Sequence, residues 1–374
     1  MHSLFIKNIM KAFYLFLYSF FIITATAQNV IRVIPEQGDM TTKIQAAIDK
    51  AKKYNGKAVV IEFQNANYHI HRNSSSQIVY HISNTTSEQD NPNPIKHIGL
   101  WLKGLKNVTI DGKGAHFITH GEMTSFVIDQ CENIKFKNFT ISASDPTVPE
   151  LTVTKVGNRH MNVRIHPQSK YAIKDGEFSF VGDNWRLSKG IAQIYDPEKD
   201  ITWRSWSPLT DLQKAIELEP NQLRFVYNKQ PEAKPGMIFQ MRSGYRYEAC
   251  GLIQYSKDIT LEDIHFAFLG NFGLVGQVSE NITYRHLTFE PEAISGRTCA
   301  GFADFIQMSG CKGKILIENS RFSGAQDDPI NIHGTHLAVT KFLSPNKLVV
   351  KYMHPQTYGF QSFLPGNEID FINA

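Results

Sequence analysis

One pattern recurs along this chain and restricts what it can fold into. It appears as "NVTIDG" (107–112), "NIKFKNFTI" (133–141), "DITLEDIHF" (258–266), "NITYRHLTF" (281–289) and "KILIENSRF" (314–322). A polar opener is followed by alternating apolar positions, a polar break and, in the longer copies, a second short alternating run. Alternation with period two marks a strand with one buried face. The break, often Asn or Asp, suits a bend between two strands. From Asp258 to Asn281 is 23 residues. A unit of that length cannot bury its apolar face alone and must stack on copies of itself, which makes a solenoid. The N-x-S/T triplets inside the units read as bend chemistry rather than as glycosylation sites.

The pattern has a beginning and two interruptions. Val30–Ile34 reads as a strand, Thr42 as a helix N-cap, and Ile44, Ala47, Ile48 and Ala51 fall on one helical face. Such a helix covers the open end of a strand stack, whose edges would otherwise be unpaired. Residues 28–146 are then the first part of the stack. Residues 147–244 lose the pattern and carry "PNQLRFVY" (220–227) before "KPGMIFQM" (234–241). The same order recurs in "PNKLVVKY" (345–352) and "LPGNEIDFI" (364–372). Both read as antiparallel β modules: a complete one at 147–244, and the start of another at 337–374 after the coils of 245–336. The expectation is a chain that is the front part of a longer protein.

Lys7 and Lys11, the apolar run "AFYLFLYSFFIIT" and Ala25-Thr26-Ala27 make residues 1–27 a secretory signal peptide, cleaved before Gln28. The run is short for a membrane span, and no cysteine follows the cleavage point, so no membrane anchor is expected and the protein is exported, periplasmic or secreted. The net charge of +4, without a basic stripe, gives no reason to expect nucleic-acid binding. Cys131, Cys250, Cys299 and Cys311 show no metal-ligand spacing. Export permits a disulfide among them, and buried thiols are the other reading.

Register then places the acids. "LIQYSKD" (252–258), "VGQVSEN" (275–281), "FIQMSGC" (305–311) and "PINIHGT" (329–335) align with Gln254, Gln277, Gln307 and Asn331 in one column. Asp304 precedes Gln307 by three residues and Asp328 precedes Asn331 by three. The two aspartates therefore face each other on adjacent coils, about 4.8 Å apart along the stack. Carboxylates that close repel, and one of them holds its proton more tightly. Asp327 is offset by one residue and points elsewhere. Three acids on one patch suit calcium binding or, better, glycoside hydrolysis, which needs one carboxyl to protonate the leaving oxygen and another to activate water.

With "FADFIQ" (302–307), "AQDDPINIHGTH" (325–336) and the N-terminal cap in view, the chain resembles glycoside hydrolase family 110 over nearly all of its mature length. The family comprises exported bacterial α-1,3-galactosidases, some of which release galactose from blood group B antigens. The resemblance implies an all-β fold: a right-handed parallel β-helix of the pectin-lyase-like kind with inserted antiparallel β-barrels. It also implies a reaction without metal or cofactor, inversion at the anomeric carbon, a glycan substrate ending in α-galactose, and a homodimer. Carried onto this chain it gives Asp327 as general acid and Asp304 with Asp328 as the pair that holds and activates water. Inversion needs the acid and the base roughly 6.5–9.5 Å apart.

The remaining polar candidates are substrate contacts: Gln307, Asn331, His333, Arg242, Arg246 and Glu248. For each there is a structural alternative. The glutamine column forms an amide ladder, His333 bonds to a turn carbonyl, and Arg242, Arg246 and Glu248 form a salt-bridged junction between insert and stack. Two other readings compete for the whole chain. A polygalacturonase-like hydrolase would cut galacturonan, and a carbohydrate-binding adhesin would be indifferent to replacement of Asp304 and Asp327.

Overall fold

The structure is a computed structural model and describes residues 29–372. The signal-peptide expectation for residues 1–27 lies outside the described residues. The described residues are all-β with a single α-helix among them. Two parallel sheets carry the repeats. Sheet one runs Asn29–Arg32, Val59–Glu62, Lys106–His120, Glu132–Ala143, Lys257–Phe266, Glu280–Phe289, Lys312–Glu318. Sheet two runs Ile95–Lys103, Thr124–Asp129, Ala249–Gln254, Phe272–Gln277, Ile306–Ser309, Ile330–His333, with Ser76–Val79 antiparallel at its edge. From Ile95 onward the chain visits the sheets in turn, so each repeat lays one strand on each.

The polar openers and breaks have a conformational cause. Asn107, Asn133, Asp258 and Asn281 all sit at φ between 52° and 58°, and Asn138, Asp263, His286 and Asn319 between 50° and 62°. A left-handed residue turns the strand sharply, and Asn and Asp tolerate it better than other non-glycine residues. The openers also ladder: Asn133 Nδ2 donates to Asn107 Oδ1 at 2.6 Å, and Asn281 Nδ2 to Asp258 Oδ1 at 2.8 Å. A further left-handed column, Gly104, Gln130, Tyr255, Val278 and Gly310, leaves sheet two without any such composition.

Between the corners the alternating residues point inward. Ile259, Leu261, Ile264, Phe266, Ile282, Tyr284, Leu287 and Phe289 are all 0–1% exposed. Phe289 stacks on Phe266 at 4.9 Å and on Phe322 at 5.0 Å. Each large side chain so buried stabilises the fold by about 1.5–3 kcal/mol.

The helix spans Thr41–Ala51 and buries Ile44, Ala47, Ile48 and Ala51 as expected. Its start differs from expectation. Thr42 is not the cap; Met40 holds that position, and the Oδ1 of Asp39 accepts the Thr41 N–H at 2.9 Å. Asp39, one residue before Met40, satisfies the first helical amide from outside the helix.

Residues 150–242 hold a seven-stranded antiparallel sheet, ordered Ile201–Ser205, Ile191–Asp196, Ile238–Arg242, Glu150–Gly157, His160–Ile165, Gln222–Tyr227, Leu212–Glu219. It has its own core around Phe180, Phe225, Phe239 and Met241. Buried Glu150 fastens it to the stack: its carboxylate takes the Thr298 and Cys299 N–H groups and pairs with Arg297 at 3.1 Å. Near the end of the described chain, Leu337–Ser344 pairs with Lys347–Tyr352. The strand expected at 364–372 does not form among the described residues. Among the described residues no helix is long and apolar enough to cross a membrane, and all four cysteines are free thiols.

Candidate active site

The acids gather at the N-terminal ends of two neighbouring strands in sheet two. Ile306–Ser309 and Ile330–His333 pair in parallel with Gln307 opposite Asn331, and the Phe305 N–H donates to the Asp328 carbonyl at 3.1 Å. Extending that register by three residues sets Asp304 opposite Asp328. The predicted glutamine column does not survive intact. Gln254 lies opposite Gln277, but Gln277 lies opposite Ser309 rather than Gln307. The coil between them, through the loop from Pro291 to Ala303, is two residues longer than the glutamine spacing implies. A two-residue slip leaves every side chain on its original face, so hydrophobic pattern alone cannot detect it.

Asp304 is buried, 5% exposed, and its Oδ2 accepts from Asn331 Nδ2 at 3.2 Å. Burial pushes its carboxyl above the usual carboxylate range, reinforced by Asp327 and Asp328 and opposed by Asn331 and the Arg246 guanidinium. Asp327 is half-buried and Asp328 exposed. Asp327 Oδ1 accepts from Arg204 Nη2 at 3.0 Å. Arg204 lies on the edge strand Ile201–Ser205 of the antiparallel domain. The same domain also grips the residue before Asp327: Gln193 Nε2 donates to the Gln326 carbonyl at 2.6 Å, and Arg242 Nε to Gln326 Oε1 at 3.1 Å.

The other predicted residues divide. Arg246 belongs to the acid group; its guanidinium lies over the Phe272 ring at 4.9 Å, and burial lowers its pKa against the pull of Asp304 and Asp327. Arg242 is buried over Phe302, pushed down to about 10 by desolvation and by Arg246. His333 Nδ1 meets the Gly334 carbonyl at 2.9 Å, and its ring lines a cavity of about 400 Å³ with Asn84, His336 and His354. Gln307 is 1% exposed and tied to a loop, accepting from Asn84 Nδ2 at 3.2 Å and donating to Ser83 Oγ at 3.4 Å.

Glu248 is neither in the cleft nor in a junction with the antiparallel domain. It is 3% exposed, and its oxygens accept from Thr124 Oγ1 at 2.7 Å and the His97 N–H at 3.1 Å. Desolvation pushes it up to about 7, opposed by Lys96. Its neighbour Tyr247 points outward at 41% exposed while Glu248 turns in. The salt-bridged junction between insert and stack exists, but Glu150 and Arg297 make it. Arg204, Gln193 and Gln326 were not visible in the sequence: the alternation of "ITWRS" marks a strand, and nothing local says what it faces across more than a hundred residues.

Comparison with known proteins adds identity to this geometry. Residues 149–239 match the family model described as GLAA-B beta-barrel domain I, and residues 347–374 match GLAA-B beta-barrel domain II. The chain is 50% identical over 346 residues to a protein named alpha-1,3-galactosidase A from Bacteroides thetaiotaomicron, covering 92% of this chain and 61% of that one. It is 34% identical to a protein of the same name from Bacteroides fragilis, covering 89% of this chain and 55% of that one. A protein named alpha-1,3-galactosidase B from Bacteroides thetaiotaomicron is 30% identical, covering 88% and 54%. A solved structure described as a putative glycosyl hydrolase from Parabacteroides merdae aligns over 82% of this chain and 96% of that one, at 11% identity and a TM-score of 0.27. The chain thus spans at most about 61% of the length of these curated relatives. Over that span it is a homologue of bacterial proteins named alpha-1,3-galactosidase, with the GLAA-B barrel inserted in a stack of parallel strands.

Proposed function

We propose that this chain carries the acid group of an exported glycoside hydrolase that removes terminal α-1,3-linked galactose, as in blood group B antigens, with inversion. The fold we infer for it is a right-handed parallel β-helix of the pectin-lyase-like kind. The observation that carries the reading is the grouping of Asp304, Asp327 and Asp328 on adjacent strands, in a chain half identical to a protein named alpha-1,3-galactosidase A. Asp327 donates the proton to the departing oxygen. Arg204 occupies its Oδ1 and leaves Oδ2 free to face the substrate. Asp304 and Asp328 hold the water. A carboxylate whose pKa is raised is the stronger base, and Asp304 has the required shift, with Asn331 fixing its orientation. Arg246 offsets the summed charge of the acids.

The test is hydrolysis of linear α-1,3-galactobiose, blood group B trisaccharide and galacturonan by the full chain, with NMR of the first-formed anomer. Release of β-galactose from either α-linked substrate is expected, and kcat/KM should fall by about 10²–10⁴ in Asp327→Asn and in Asp304→Asn. First-formed α-galactose would remove inversion. Cleavage of galacturonan alone would favour the polygalacturonase-like reading, and undiminished sugar binding and function in both Asn variants would favour the adhesin.

A further inference from the structure

The antiparallel domain contains a second concavity that shares no residue with the acid group. It has a volume of about 470 Å³ and lies between the segment after Ile201–Ser205 and the turn after Gln222–Tyr227. That is within the roughly 300–1,000 Å³ typical of ligand sites. Its wall is Trp206, held from behind by edge contacts with Tyr227 (5.6 Å, 86°) and Phe239 (5.7 Å, 64°). The polar ends of both lining aromatics are already used. Trp206 Nε1 donates to the Glu232 carbonyl at 3.1 Å, and the Tyr227 hydroxyl to the Pro208 carbonyl at 2.9 Å. What Trp206 offers a visitor is therefore rigid π surface and no hydrogen bond.

The rim is the opposite. Asp211, Asn228, Lys229, Gln230 and Glu232 are all exposed. Asp211 and Glu232 accept hydrogen bonds only through their backbone carbonyls. Among the described residues, no hydrogen bond or ion pair is made by the side chains of Asn228, Lys229 or Gln230. A fixed apolar wall inside a ring of uncommitted donors and acceptors fits a ligand with one C–H face and hydroxyls around its edge. The rim has two carboxylates against one ammonium, which disfavours anions, and a purely apolar ligand would leave the rim's polar groups desolvated and unpaired. We propose that this pocket binds an uncharged sugar residue of a glycan, at a site separate from the acid group. The proposal does not depend on the hydrolytic reading. An aromatic face fixed before the ligand arrives costs little conformational entropy on binding.

The experiment uses the full chain with both Asp304→Asn and Asp327→Asn, so that a sugar probe is not consumed. The probe is α-1,3-galactobiose, followed by the indole N–H resonances of the four tryptophans and by calorimetry. A saturable shift of the Trp206 resonance is expected, assigned by its loss in Trp206→Phe. Affinity should fall at least about tenfold, roughly 1.4 kcal/mol, in the rim variant Asn228→Ala/Gln230→Ala, which leaves the packed wall untouched. No saturable shift of Trp206 would overturn the proposal. So would an unchanged isotherm in the rim variant, or a response to an uncharged tripeptide in place of the sugar. Sugar binding at Trp206 together with failed hydrolysis by the wild-type chain would instead sink the hydrolytic reading alone.

Discussion

Two groups of carboxylates sit at the N-terminal ends of strands in sheet two, and they differ in what surrounds them. Glu122 and Glu248 share their group with Lys96, which is 0% exposed and donates to the Tyr247 carbonyl. Asn271 donates to Glu122, and Thr124 and His97 donate to Glu248. The group is closed, with a cation of its own. Further along the stack, Asp304 is buried but faces a half-buried Asp327 and an exposed Asp328, and its cations are arginines that reach in from elsewhere. Burial of an acid thus says little by itself. A closed, paired set holds structure together, whereas a buried acid beside open ones can meet a substrate.

Breaking the closed group should be among the two costliest changes. Lys96→Met leaves buried Glu248 without its cation, while Glu122 keeps Arg72 beside it, and removing one partner of a buried pair destabilises by about 3–5 kcal/mol. Chemical denaturation measures this directly. Asp304→Asn, which keeps the Asn331 contact within reach and removes a crowded charge, should change stability by less than about 1 kcal/mol. Equal losses in the two variants would erase the distinction drawn between the groups.

The next effect is a pH dependence. Glu248 is pushed up to about 7 from an ordinary value of 4.5. A carboxyl raised in the folded state favours folding in its protonated form, so that contribution is fully present below about 4.5 and is lost as pH rises through about 7. Melting temperature should therefore decline across that window, and Glu248→Gln should flatten the decline. A wild-type profile level from pH 4.5 to 7 would show that Glu248 is ionised throughout and that Lys96 compensates it fully.

The sequence made much of this legible, and the failures have a common cause. Alternation and the Asn or Asp corners located the strands of sheet one, because each signal is local: an apolar face with period two, and a residue type that accepts a left-handed φ. The corner at Gln130, Tyr255 and Val278 carried no such signal, since backbone hydrogen bonds hold it: their N–H groups donate to the carbonyls of Gln254, Gln277 and Ser309 on the next coil. The Asp304–Asp328 alignment was recoverable from spacing on adjacent strands. Gln277 against Ser309 was not, because a slip by one full period looks the same from either face. Glu248 was placed by its neighbours in sequence, while its environment is set by Lys96, Glu122 and Thr124, all more than a hundred residues away. Arg204 and Gln193 were missed for the same reason.

Arg204 gives the smallest and most discriminating effect. Its pair with Asp327 is 71% and 32% exposed, and such a pair contributes about 0–1 kcal/mol to stability. Arg204→Gln should therefore leave the denaturation midpoint nearly unmoved. The Glu150–Arg297 pair, 2% and 4% exposed, joins the same two parts of the molecule, and cutting it with Arg297→Gln should cost several times more, about 3–5 kcal/mol. If the barrel touched the acid group only to hold the fold together, the two variants would rank the same way in activity as in stability. A positioning role for Arg204 predicts the reverse order: kcat/KM falling about tenfold in Arg204→Gln, carried mainly by kcat and partly restored in Arg204→Lys, because the guanidinium orients Asp327 rather than fastening the domains.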